Sequence, residues 1–183
     1  RKYAEKMTGQ LLYAVCKELM ALPELGLKQV QIARNFTTNN PPQNVLPAAI
    51  VGILEDESSV FVGGYERREY EIGISISILD TNIDLAHSSD WIVDKYKRAY
   101  DIPDHIQTLF NRQVFTTPQM QKLLQKNNLI TRSRGYNLRH TPYDKWSKNV
   151  VTYELIVRAI LTVPMEEPEV PIEDIKYEFE VTV

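Results

Sequence analysis

The stretch Tyr70-Glu71-Ile72-Gly73-Ile74-Ser75-Ile76-Ser77-Ile78 places a large apolar residue at every even position and a small or charged one at every odd position. Val151-Thr152-Tyr153-Glu154-Leu155-Ile156-Val157-Arg158-Ala159-Ile160-Leu161-Thr162-Val163 is a second stretch of the same character. Successive side chains of a strand point to opposite faces, so a period of two predicts one buried face and one lightly covered or solvated face. One-sided strands belong to antiparallel sheets; strands of doubly wound parallel sheets are apolar on both faces. The odd face of the first stretch (Glu71, Gly73, Ser75, Ser77) is too small and mixed for a fully bathed charged surface. It suits a face covered by a helix or by a neighbouring subunit.

Working outward, residues 2–22 read as a helix, with Leu12, Val15, Cys16, Leu19 and Met20 on an apolar stripe and Lys6, Lys17 and Glu18 on other faces. Pro23 and Gly26 end it, and Val30–Arg34 is a short strand candidate. Asn35–Pro47 is a loop by its Asn, Thr and Pro content. Pro47–Leu54 is a strand, Glu55–Ser59 a polar turn, and Val60–Glu69 a loop holding Gly63-Gly64 and two arginines. Caps at Asp80-Thr81-Asn82 or Ser88-Ser89-Asp90 open a second helix carrying Ile92, Tyr96 and Ala99 or Tyr100 beside Trp91, which is expected to end before Pro103. Thr117-Pro118 caps a third helix with Met120, Leu123 and Leu124 inside, closed by Asn127-Asn128. The fold class is therefore α+β: a mainly antiparallel sheet of about four to five strands, an N-terminal helix and one or two further helices. Residues 1–163 form a single domain. Beyond it, 164–183 are a Pro-rich acidic linker ending in the alternating stretch Lys176–Val183, which could pair with a neighbouring subunit.

The 183 residues, 43% apolar and 25% charged, are ordinary for a globular protein with one sizeable core. A net charge of -3 argues against whole-surface attraction to nucleic acid or to an anionic membrane. The lone Cys16 lies on the apolar stripe, which points to a structural thiol and a reducing compartment. No secretory signal is read, and an opening Arg1 fits a numbering that begins after the true start. Charge is unevenly spread. Arg132–Lys148 holds five cations (Arg132, Arg134, Arg139, Lys145, Lys148) against Asp144, a net of +4. Glu166–Glu180 holds seven acids against Lys176, a net of -6. Complementary segments of this kind can mark faces that meet between copies.

Signatures of catalysis are sparse. His87, His105 and His140 have no metal-ligand spacing, and no GxSxG, phosphate-binding glycine loop, GxGxxG or CxxC occurs. Pro103-Asp104 with Asp174-Ile175-Lys176 loosely resembles the acid and acid-x-Lys pattern of metal-dependent nucleases, whose carboxylates converge on a divalent ion. Tyr136, Tyr143 and Trp146 among the cations of Arg132–Lys148 would suit phosphate contact with base stacking. The plainer reading of that segment is a solvated loop with its aromatic residues tucked onto the sheet.

The order of elements is similar to that of the tail terminator (tail completion) proteins of long-tailed bacteriophages and the related head-tail joining proteins. An N-terminal helix precedes Leu46-Pro47-Ala48-Ala49-Ile50-Val51; a charged loop then leads into Arg68–Ile78; a helix follows; and Tyr153–Ile160 closes the domain. The resemblance covers about Gln10–Val163. The segment Pro103–His140 is longer than compact members need, and the tail after Pro164 is extra. The resemblance implies no catalytic residue, metal or cofactor. It implies a structural virion protein of the tail or neck, assembled in the host cytoplasm. Its copies would form a hexameric ring between the tail tube protein and the head-tail connector protein, with DNA at most passing through the lumen and no membrane. A ring needs a heterologous interface that closes on rotation. Subunit-contact candidates are Arg132, Arg134, Arg139, Lys145 and Lys148, then Glu166, Glu167 and Glu169, and the terminal Tyr177, Phe179 and Val181. Tyr65, Arg67 and Arg68 are candidates for a loop facing a partner or the lumen.

Overall fold

A computed structural model describes residues 2–32, 45–61, 63–81, 90–142 and 148–164. Among them are the helices α1 (Lys2–Ala21), α2 (Asp90–Arg112) and α3 (Pro118–Asn127) and the strands β1 (Gln29–Ile32), β2 (Ala48–Phe61), β3 (Tyr65–Thr81), β4 (Ile130–Pro142) and β5 (Lys148–Pro164). The strands form one sheet in the order β1-β2-β3-β5-β4. Only β1 runs parallel to its neighbour; the other three pairings are antiparallel. The chain is an α+β protein.

The two alternating stretches lie side by side at the centre of the sheet. Ile72 is opposite Val157, Ile74 opposite Leu155 and Ile76 opposite Tyr153, so the even face of β3 and the odd face of β5 are one surface. All six are buried. Fully burying an Ile or Leu contributes about 1.5–3 kcal/mol, so this shared face stabilises the fold substantially. α1, α3 and the second half of α2 cover it, placing Leu11, Val15, Leu19, Ile106, Phe110, Met120 and Leu123 in one cluster with the sheet.

Two elements run further than their sequence suggests. Glu55–Ser59, expected as a turn, and Tyr65–Glu69, expected as a loop, are the distal arms of a long β2–β3 hairpin that closes only at Phe61 opposite Tyr65. The turn signal is Gly63-Gly64 alone: both adopt positive φ (107° and 80°), which suits residues without a Cβ. The polar residues around it are strand residues whose side chains pair across the sheet. The second correction is α2, which passes through Pro103. An internal proline costs about 3 kcal/mol, but Ile102, Ile106, Leu109 and Phe110 are all buried, and their burial outweighs that cost. The stripe at Ile92–Tyr100 lies in the first half of α2, whose side chains fall outside the description.

The short strand, the N-terminal helix and the third helix form where expected. Thr117 caps α3, its hydroxyl accepting from the Met120 amide, and Asn128 closes it in the left-handed region (φ 47°). Arg132–Pro142 is no loop. It is the edge strand β4, held along β5. The linker and terminal stretch of 164–183 lie almost wholly outside the described residues.

Candidate functional site: the charged face of the sheet

Two bulges sort the charges of this chain. Ile53 is opposite Ile72 but Glu55 is opposite Glu71, so Leu54 is an extra residue in β2. Before it, Ala49, Val51 and Ile53 share the core face with Ile72–Ile76; after it, Asp56 and Ser58 take that side and Glu55 and Glu57 move to the other. In β4, Arg134 is opposite Ile156 and Tyr136 opposite Leu155, so Gly135 is the extra residue. Arg132 and Arg134 before the bulge, and the register position of residue 139 after it, all fall on the side opposite the core cluster.

The outer face therefore carries a row across four strands: Glu55 on β2, Glu71 on β3, Arg158 on β5 and Arg132 on β4, each directly opposite the next. Glu57 and Glu69 form the neighbouring acidic pair. Ion pairs run diagonally through the row. Glu69 accepts from Arg158 and also meets Arg67, while Arg134 Nη1 lies 3.1 Å from Glu71 Oε1. The hydrogen bond from Arg158 holds the Glu69 carboxyl below its ordinary value, against the opposing effect of burial, and the fields of Arg158 and Arg67 add to the lowering. The same bond holds the Arg158 guanidinium above its ordinary value.

The rest of the odd face of β3 behaves differently. Gly73, Ser75 and Ser77 are buried within a single copy, with Ser77 Oγ 3.2 Å from Thr152 Oγ1. Leu46, Ala48 and Val150 make a small second apolar cluster at that end. The expectation of a face lightly covered by a helix or neighbour thus holds no open area there; the accessible part is the charged end.

Arg68 is not a loop residue. It is 8% exposed, on the core side of the hairpin. Its Nη2 donates to both oxygens of Asp56 (2.8 and 2.7 Å), Nη1 to Glu66 (3.1 Å) and Nε to the Tyr70 hydroxyl (3.3 Å). Burial works against its charge, but the bonds to Tyr70 and Glu66 and the field of Asp56 outweigh it and raise its pKa. Arg67 lies on β3 beside Glu69, and Tyr65 is half exposed at the hairpin tip. Of the subunit-contact candidates, Arg132 and Arg134 are exposed on β4; Arg139 and Lys148 are placed by register opposite Thr152 and Thr81. Lys145, Glu166, Glu167, Glu169, Tyr177, Phe179 and Val181 lie outside the described residues.

Among the described residues, those singled out from catalytic patterns do not assemble into a site. Asp104 is exposed in mid-helix on α2, and with Asp101, His105, Glu24 and Leu22 it borders a shallow cleft of about 340 Å³. Among the described residues no group of three or more His, Cys, Asp or Glu side chains is placed to hold a metal ion. Asp174 and Lys176 lie outside the description, as do Tyr143 and Trp146. The cations of β4 share their face with Glu55, Glu57, Glu69 and Glu71, so that face is mixed in sign and not a basic stripe. No helix among the described residues is long and apolar enough to cross a membrane.

Sequence reasoning missed Glu18. It lies on the buried side of α1 at 0% exposure, whereas Met20, assigned to the apolar stripe, is 53% exposed. The spacing Met7, Leu11, Ala14 and Glu18 marks the true buried face, and a search for apolar residues alone passes over its charged member. No protein-family model matches this chain, and no curated protein matches it either.

Proposed function

We propose that this chain is a structural component of a long-tailed phage tail or neck, a tail terminator or head-tail joining protein that acts as a closed ring of six copies and runs no reaction. The observation that carries the reading is the order and handling of elements. An N-terminal helix, a long charged hairpin, a helical segment and a closing strand build an open sheet, and α1, α3 and the second half of α2 pack on one face of it. Such a sheet leaves strand edges and a charged face for contact with other protein surfaces. The segment Pro103–His140, longer than compact members need, is used as the second half of α2, all of α3 and most of β4.

Negative-stain images and mass photometry of the purified chain test the proposal. Rings of uniform diameter, with a mass that is an integral multiple of 21.2 kDa, are expected. A chain that stays monomeric across a wide concentration range overturns it. Magnesium-dependent cleavage of DNA that disappears in Asp104→Ala would favour a nuclease instead.

A further inference from the structure

The row Glu55–Glu71–Arg158–Arg132 has a property that a single copy does not use. Its two carboxylates are neighbours and its two guanidinium groups are neighbours. Like charges directly opposite on adjacent strands destabilise the sheet. An isolated domain would do better with the signs alternating. As built, the row is acidic toward β2 and basic toward β4, and these strands bound the sheet at this height. β1 pairs only with Ala48–Val51, and among the described residues no strand lies against the outer side of Ile53–Phe61 or of β4.

Strand direction agrees with charge. Three antiparallel steps separate β2 from β4, so the two run in opposite senses. A second copy rotated about an axis along the strands would bring its β4 beside β2 of the first, antiparallel and at the same height. Glu55 would then meet Arg132 of the next copy, and Glu57 would meet the residue in its own row, Ile130, which is 52% exposed. Leu54, 43% exposed at the bulge, adds apolar surface on the β2 side.

We infer that the copies join edge to edge, the Glu55–Glu57 segment of β2 in one copy pairing with Ile130–Arg134 of β4 in the next, so that the row alternates from acid to base around the assembly. The inference rests on the ring reading above and names the contact that closes it. The occupant is a second copy and not the chain's own terminal stretch Lys176–Val183. That stretch is itself net acidic and would be repelled by this part of β2.

Charge reversal tests the contact. Glu55→Arg turns the Glu55/Glu71 neighbours into an opposite pair, and Arg132→Glu does the same beside Arg158, so each variant folds at least as well as the parent while repelling its own kind. Each alone should raise the concentration needed for assembly by about tenfold or more. The double variant Glu55→Arg/Arg132→Glu should restore assembly. An equimolar mixture of the two single variants should also assemble, into species with equal numbers of each. Circular dichroism and thermal melts of every variant check folding. If the parent assembles and both single variants assemble equally well, the edge contact is wrong and the ring reading stands. If the parent never leaves the monomer, both fall. If the double variant stays dissociated while folded, the two edges do not meet each other.

Discussion

The Glu18 carboxylate on α1 receives the N-terminus of α3: Thr117 donates to its Oε2 from both the backbone amide (2.9 Å) and the hydroxyl (2.5 Å). Thr116 donates to Oε1 in the same way, at 2.7 and 3.2 Å. The acid is fully buried, ninety-eight and ninety-nine positions from its donors, and Thr117 at once caps its own helix through the Met120 amide at 3.5 Å. An anion at a helix N-terminus also lies at the favourable end of the helix dipole.

Removing that acceptor strands the two buried donors of Thr117 and takes the partner from the two of Thr116, which is exposed. Glu18→Ala should lower stability by about 3 kcal/mol, since each buried donor left without a partner costs about 1–3 kcal/mol and some will find water. Thr117→Val, which keeps shape but loses the hydroxyl, should lower it by about 1–2 kcal/mol. Urea denaturation followed by circular dichroism reads both. A Glu18→Ala midpoint equal to the parent's would show that the junction between α1 and α3 holds without its carboxylate.

Arg68 ties the hairpin to itself. Arg68→Met leaves Asp56 and Glu66 without their shared cation on the covered side of the sheet, and should lower stability by about 2 kcal/mol. The figure is below that for a fully buried pair because the Asp56 and Glu66 side chains retain 36% and 24% of their exposure. Hydrogen exchange should show the extra opening confined to Asp56–Tyr70. Uniform loss of protection across the sheet would place the role of Arg68 in the global core instead.

The Cys16 thiol, half-buried on α1, is pushed up to about 11 by burial. It is then almost entirely protonated at neutral pH, and the thiolate is the reactive form. Iodoacetamide at pH 8 should label the native chain at least about tenfold more slowly than the chain unfolded in urea. Equal rates would mean that α1 opens readily.

Glu69 gives stability a dependence on acid. Its folded pKa lies below the unfolded value of 4.5, so its contribution is complete above pH 4.5 and is lost as pH falls through the lowered value. Glu69→Gln should therefore lower the urea midpoint slightly at pH 7, and that gap should close toward pH 3. A gap that stays constant with pH would assign the loss to packing and not to the ion pairs with Arg158 and Arg67.

The parts of this fold that could be read from sequence are those where one force acts alone. At Tyr70–Ile78 and Val151–Val163 burial on a single face dictates the alternation, and at Thr117-Pro118 and Asn128 local backbone chemistry sets the helix ends. Pro103 and Glu55–Ser59 misled because each weighs a local preference against a partner distant in sequence. Proline is outvoted by the burial of Ile106 and Phe110. The acidic run looks like a turn until Glu69, Glu71 and Arg68 stand opposite it. The candidate site was half legible. Arg132 and Arg134 are visible as a basic run, but their counterparts Glu55 and Glu71 become neighbours only through strand pairing. Glu18 escaped because an ionised side chain at an interior position makes sense only with its four donors in view.

The bulges at Leu54 and Gly135 change what a substitution scan of this chain should look like. Along β2 the positions on the core side are odd as far as Ile53 and even from Asp56 onward. Along β4 they are odd through Ser133 and, by register, even from position 136. A scan should thus find charge poorly tolerated at Ala49 and Val51, with no continuation of that odd parity beyond Leu54. Deleting either extra residue would leave every partner and face beyond it unchanged: with Leu54 gone, Ile53 and Glu55 would sit opposite Ile72 and Glu71 as before and alternate regularly. Each strand thus has one position at which the loss of a residue keeps both halves in phase, whereas a loss elsewhere must be absorbed by the bulge or by a shifted register.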